Sequence, residues 1–231
     1  MAASIPVQPC AVLEAMKIPE AGVEVVPAAP PAGRRERKRQ QVRDQLYAAA
    51  LHLVVTQGYE ATTMDQIAET ADVARATVFN HFSQKVGFLE EWGARRRARV
   101  NEILGSQRAE DLPVGDRLRR YLKEMADLNV ASRAETTVLM DASARYGSLL
   151  QDPSLEIELA RIVEQGRQRG EIRAGVDCDQ AGQLLAACYF STILRWIREE
   201  PAPFDLHERL AGALDIVLLG LLADEIHAGE P

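Results

Sequence analysis

The sequence predicts an all-α chain of about nine helices, with an N-terminal three-helix helix-turn-helix unit ahead of a larger helical domain. Three observations predict it. Apolar residues recur at steps of three and four through most of the chain. No segment alternates apolar and polar residues between hairpin turns. Two short helical patterns are joined by only "DVA", Asp72 to Ala74, the length of a helix-turn-helix connection.

The elements follow in order. Residues 1–33, with "VPAAPPAG", lack periodicity and read as a disordered tail. Val42, Leu46, Ala49, Ala50, Leu53 and Val54 mark a first amphipathic helix, with Gly58 as its C-terminal stop. Met64, Ile67, Ala68 and Ala71 mark a second. Thr63 and Gln66 have capping-box spacing, so that helix starts at Thr63. A third runs from about Arg75 to Phe82, and a fourth from near Lys85 through Leu89 and Trp92 toward Leu104. Beyond "EDLPVGD", Leu118, Tyr121, Leu122, Met125 and Leu128 mark one helix; Val138, Leu139, Ala142, Tyr146 and Leu149 mark the next. Pro153 opens a helix that holds Leu155, Leu159, Ile162 and Val163 and ends by Gly170. The last two span about 179–199 and 205–227. The chain thus divides into a tail at 1–33, the helix-turn-helix domain at 34–100 and a helical domain at 101–231.

Composition narrows the function classes. The 231 residues are 47% hydrophobic and 26% charged, ordinary for a globular protein. The longest late apolar run, Ile216 to Ala223, is too short to span a bilayer. No signal-peptide pattern opens the chain. Cys10, Cys178 and Cys188 form neither a metal-like spacing nor an even disulfide set, so a reducing cytoplasm fits and no metal or cofactor is expected. The four histidines are scattered, and HExxH, GxSxG, P-loop and GxGxxG motifs are missing, which argues against an enzyme. Net charge is −7, but unevenly spread. Residues 34–100 hold 12 Lys/Arg against 8 Asp/Glu; residues 101–231 hold 14 against 23. A basic module on an acidic body suits an anionic partner met in one orientation.

The third helix suggests what that partner is. At 100° per residue, Val78 and Phe82 point inward against Ile67 and Leu53, while Ala76, Thr77 and Asn80 occupy the outer arc. Small and hydroxyl or amide side chains suit a helix entering a DNA major groove. Thr77 and Asn80 can touch bases, and Arg75 can reach a guanine or a phosphate. His81 and Lys85 are placed to grip phosphates. The run "RRERKRQ", with Arg34, Arg35 and Arg39, can lie along the DNA backbone or enter the minor groove as a basic arm. "ARRRAR", Ala94 to Arg99, reads as a solvated face partly paired with the acidic body. A plain helical hairpin facing water is the alternative for the whole unit.

The run "GYEATTMDQIAETADVARATVFNHFSQKVGFL" resembles the DNA-binding domain of the TetR family of transcriptional regulators, over about Gln40 to Arg99. A weaker echo, "RQRGEIRAGVD", resembles the turn before that family's last two helices. The resemblance implies a homodimeric repressor with N-terminal reading heads and a C-terminal effector-binding and dimerisation domain. It implies that Thr63 caps the second helix and contacts phosphate, that Arg75 and Thr77 face bases, and that Phe79, His81 and Lys85 sit at the DNA backbone. Two positions depart from the pattern. Ala74 stands where Ser or Thr is common, and Phe79 where Tyr is common. Both changes weaken the expected DNA contact, and a protein-interaction module with little DNA affinity is the corresponding alternative. Activation in place of repression depends on operator position.

The last helix is apolar on more than one side, which calls for a cover. A second copy is the expected cover, over Leu214, Val217, Leu218, Leu221 and Leu222, with Leu184, Leu185, Cys188, Thr192 and Trp196 from the preceding helix. Gly182, Gly212 and Gly220 are expected to permit close approach. Ile216, Leu219 and Ile226 extend around the other side. Trp92, Tyr121, Met125, Asn129, Thr136, Met140, Tyr146 and Trp196 combine apolar walls with a few polar points and are the candidate pocket for a small-molecule effector.

Overall fold

The computed structural model describes residues 33–146 and 154–221, the side chains of Ser154 and Leu221 excepted. The chain falls into two compact units, divided between Lys38 and Arg39. In the first, the described residues are an exposed helical turn, opened by hydrogen bonds from the Glu36 and Arg37 amides to the Gly33 carbonyl. Among the described residues the chain forms nine α-helices, one 3₁₀ turn and no extended strand.

Helix α1 (Arg34–Gln57) ends as its sequence requires. Gly58 takes φ 89°, a left-handed conformation that costs glycine little, and its amide bonds the Val54 carbonyl. Helix α2 (Met64–Thr70) opens on a complete capping box. The Thr63 side chain accepts from the Gln66 amide, and the Gln66 side chain accepts from the Thr63 amide. The turn to α3 (Arg75–His81) passes through Asp72 at φ 52°, a region short polar side chains tolerate. These three helices share a core of their own: Leu46, Ala49, Ala50, Ile67, Ala68, Val78 and Phe82, joined by Phe88 of α4 (Val86–Ser106).

Past its first turn α4 changes allegiance. Leu89, Trp92, Val100 and Leu104 enter the larger core, shared with α5 (Val114–Ala131), α6 (Arg133–Tyr146), α7 (Ser154–Gln168), α8 (Cys178–Trp196) and α9 (Leu206–Leu221). Helices α7 and α8 cross closely at Gly182, where a Cβ would lie 2.5 Å from the Glu156 carbonyl oxygen and 2.7 Å from the Ala160 Cβ. Gly182 therefore serves a crossing within the chain and not a contact between copies. In the "RQRGEIRAGVD" turn, Gly170 is left-handed at φ 76°, Glu171 accepts the Val114 amide at the start of α5, and Asp177 caps α8 through the amides of Asp179 and Gln180. All of the tail expected at 1–33 except Gly33, together with Leu149, Pro153 and the end of the last helix beyond Leu221, lies outside the described residues.

Candidate functional site

Helix α3 presents the face its periodicity predicts. Val78 is fully buried and Phe82 nearly so, both against α1 and α2. Ala76, Phe79 and Asn80 are exposed, and Thr77 is half-buried. Arg75 is exposed; it makes a 3.0 Å ion pair with Asp65 and lies 5.5 Å from the Phe79 ring centre. A surface pair of this kind is worth well under about 1 kcal/mol, so Arg75 exchanges partners readily. Ala74 leaves the start of α3 without a side-chain cap, as its residue type dictates.

The arginine that holds this helix in place was not singled out from the sequence. Arg43 of α1 donates to the His81 carbonyl at the end of α3 (3.0 Å) and to Glu91 of α4 (2.6 Å), and it stacks 4.3 Å over Phe82. Glu91 also accepts from Arg95, which pairs with Asp44 at 2.6 Å. Burial pushes the Glu91 carboxyl up, but the hydrogen bonds from Arg43 and Arg95 outweigh it and leave it below the usual carboxylate range. One surface position in an arginine-rich helix start gives no sequence signal for such a role.

The structure gives the residues expected at phosphates different surroundings. The Lys85 ammonium is held inside the head, donating to the carbonyls of Tyr59 (2.6 Å) and Thr62 (2.8 Å), with Glu60 at 3.4 Å and the Tyr59 ring 4.2 Å away. It is a strut under the α1–α2 loop and not a free cation. His81 is half-buried; burial, with Arg39 and Arg43 nearby, lowers its pKa and so favours the neutral ring. The run Arg34 to Gln40 is helical and exposed. A helix about 10–12 Å across does not enter a minor groove about 6 Å wide, so the minor-groove course expected for Arg34, Arg35 and Arg39 does not fit this segment. Thr63 is exposed, its hydroxyl oxygen engaged in the capping box.

Residues 46–92, which span this braced head, match the profile of bacterial regulatory proteins of the tetR family. The head of this chain is similar to the DNA-binding domain of the TetR family. The regulator TcmR of Streptomyces glaucescens is 51% identical over 53 residues, which is 23% of this chain and about a quarter of that protein (24%). The repressor KstR of Rhodococcus jostii is 25% identical over 182 residues, 76% of this chain and 82% of that one. Among solved structures, Thermus thermophilus FadR, a TetR-family repressor in complex with lauroyl-CoA, superposes with a TM-score of 0.67. Its identity is 26%, over 82% of this chain and all of that one. The complex of SmeT with triclosan shares the fold at a TM-score of 0.60 and 20% identity, over 83% of this chain and 99% of that one.

In the larger helical core, a crevice opens beside α4. It is lined by Trp92, Arg96 and Arg97 of α4, Met125 of α5, Met140 and Ser143 of α6, Leu155 of α7, and Tyr189 and Phe190 of α8. Its volume of about 40 Å³ has room for little more than a water, far below the roughly 300 Å³ of a small ligand site. Of the expected pocket residues, Trp92, Met125 and Met140 line it. Asn129 and Thr136 sit just behind, buried and bonded to each other and to Arg96. Tyr121 is fully buried in the core with its hydroxyl on Glu158. Trp196 is buried under Arg133, away from the crevice lining. Tyr146 is exposed and belongs to a separate, wider cleft of about 800 Å³, where it meets Tyr59. Arg96 corrects the reading of "ARRRAR" as a solvated face: its side chain is only 10% exposed, because α4 turns it onto α5 and α6.

The last two helices also divide differently from expectation. Leu185, Leu214 and Leu218 are buried in the chain's own core, Thr192 nearly so, and Val217 packs on its edge. The stripe left uncovered is Ile216 and Leu219 of α9, 75% and 85% exposed, with Leu184 of α8 exposed and Cys188 half-buried. A Cβ on Gly212 or Gly220 would meet open space. Helix α9 is apolar on more than one side, so periodicity did not separate the stripe that α5 and α8 cover from the free one. Leu222, Ile226 and the Leu221 side chain lie outside the described residues.

Proposed function

We propose that this chain is a ligand-responsive transcriptional repressor that binds a palindromic DNA operator as a homodimer, in the cytoplasm, and is released by a small-molecule effector. One observation carries the DNA reading: α3 offers Ala76, Thr77 and Asn80 outward while Val78 and Phe82 anchor it behind. Thr77, Asn80 and Arg75 address bases. Thr63, Phe79, His81 and the exposed Arg34, Arg35 and Arg39 address the DNA backbone. The uncovered stripe of Ile216, Leu219 and Leu184 joins two copies, so that two reading helices face one two-fold site. The complex of the repressor FadR with lauroyl-CoA supports the effector half of the reading.

The release route runs along α6. Met140 and Ser143 line the crevice; on the same helix the Tyr146 hydroxyl donates to Glu60 at 2.5 Å, and its ring packs 4.8 Å from Tyr59. Those loop residues rest in turn on Lys85. A ligand that parts α4 from α6 shifts the loop that carries α2, and the operator-competent arrangement loses population. The test is retention of genomic fragments by the purified chain. Enrichment of one palindrome is expected; no retention would reject the reading in favour of a protein-interaction module, and retention independent of sequence would reject a specific operator.

A further inference from the structure

The crevice beside α4 holds more hydrogen-bond donors than the protein satisfies. Arg96 is nine-tenths buried and sends its terminal nitrogens to Ser132 Oγ (2.5 Å) and, at 3.3 Å, to Asn129 Oδ1, Glu135 Oε1 and Thr136 Oγ1. Its Nε is buried with no acceptor among the described residues. Tyr189 lines the same crevice. Its hydroxyl oxygen accepts from Asn129 Nδ2 at 2.8 Å, and among the described residues no acceptor takes its proton. Burial raises the pKa of this phenol, so the proton stays. Glu135, the carboxylate on Arg96, is shared with the Trp92 indole N–H at 2.5 Å. The lining acid, Glu90, is exposed.

A buried donor without an acceptor is a standing cost, and a cavity that gathers such donors selects a ligand rich in acceptors. We propose that this crevice takes an apolar acid: its carboxylate or sulfonate accepts from Arg96 Nε, with the Tyr189 hydroxyl as second donor, and its hydrocarbon part lies against Trp92, Met125 and Met140. The unbranched methionines let a crevice of about 40 Å³ open around such a ligand. The proposal rests on the effector reading above and assigns that effector its chemistry.

The test titrates the full chain with 1-anilinonaphthalene-8-sulfonate and with N-phenyl-1-naphthylamine, the same rings without the acid. Arg96→Met is expected to weaken the sulfonate about tenfold and the neutral amine less than about twofold. Tyr189→Phe, which removes only the O–H, is expected to weaken the sulfonate severalfold and spare the amine. Glu135→Gln is expected to tighten the sulfonate alone, because it leaves the Arg96 charge unpaired. If Arg96→Met does not fold, the other two variants decide. Equal effects on both probes, or none on the sulfonate, would overturn the proposal. Operator retention is measured on the same proteins: intact retention with no probe discrimination sinks the acid site alone, whereas lost sequence preference sinks the repressor reading whatever the probes do.

Discussion

Lys85 separates two accounts of how the head works. If it grips a phosphate, Lys85→Met lowers the salt dependence of DNA binding by about one unit and leaves folding untouched. The structure instead commits its ammonium to the Tyr59 and Thr62 carbonyls at 2.6 and 2.8 Å and to the Tyr59 ring. A charge-assisted hydrogen bond contributes about 1.5–3 kcal/mol, and the site is only half-buried, so the low end applies. Two such bonds and a weak cation–π contact, less the gain from no longer desolvating an ammonium, leave a loss of about 2–3 kcal/mol. At about 2–4 °C per kcal/mol for a chain of this size, the melting temperature falls by roughly 4–12 °C. Urea unfolding followed by fluorescence reads the same loss as a lower midpoint. A Lys85→Met protein with an unchanged midpoint and a salt slope reduced by one unit would refute the strut.

Other outcomes follow from the same geometry. Ala74→Ser supplies the missing cap of α3 and should stabilise the head by about 1 kcal/mol, read as a higher urea midpoint. Leu219→Asp should give a folded monomer by light scattering if α9 is the dimer face, whereas Leu218→Asp, buried at 1% exposure, should unfold the domain. Arg43→Met removes a partner that holds the Glu91 pKa down. The stability that Glu91 draws from that depression is present above about pH 4.5, its ordinary value, and is lost as pH falls through the lower folded value. The midpoint gap between Arg43→Met and the parent should therefore be full at neutral pH and narrow in acid.

The head was legible because its information is local. Capping-box spacing at Thr63 and Gln66, the stop at Gly58 and the inward pair Val78 and Phe82 are set by backbone geometry within a few residues, and the fold reproduces them. Periodicity likewise gave the all-α class and the order of the helices, since a 3.6-residue repeat marks a helix whatever it packs against. What it does not say is which of two apolar sides meets the chain itself: α9 buries Leu214 and Leu218 and leaves Ile216 and Leu219 bare only because α5 and α8 lie on one side. Charged side chains depended most on tertiary placement. Lys85, Arg43 and Arg96 are alike in sequence, each a long cation in or at the start of a helix, yet one props a loop, one braces α3 and one lies buried at the crevice. Their partners are 23 to 48 residues away in the chain, so contacts that only folding creates, and not spacing, decided what each charge does.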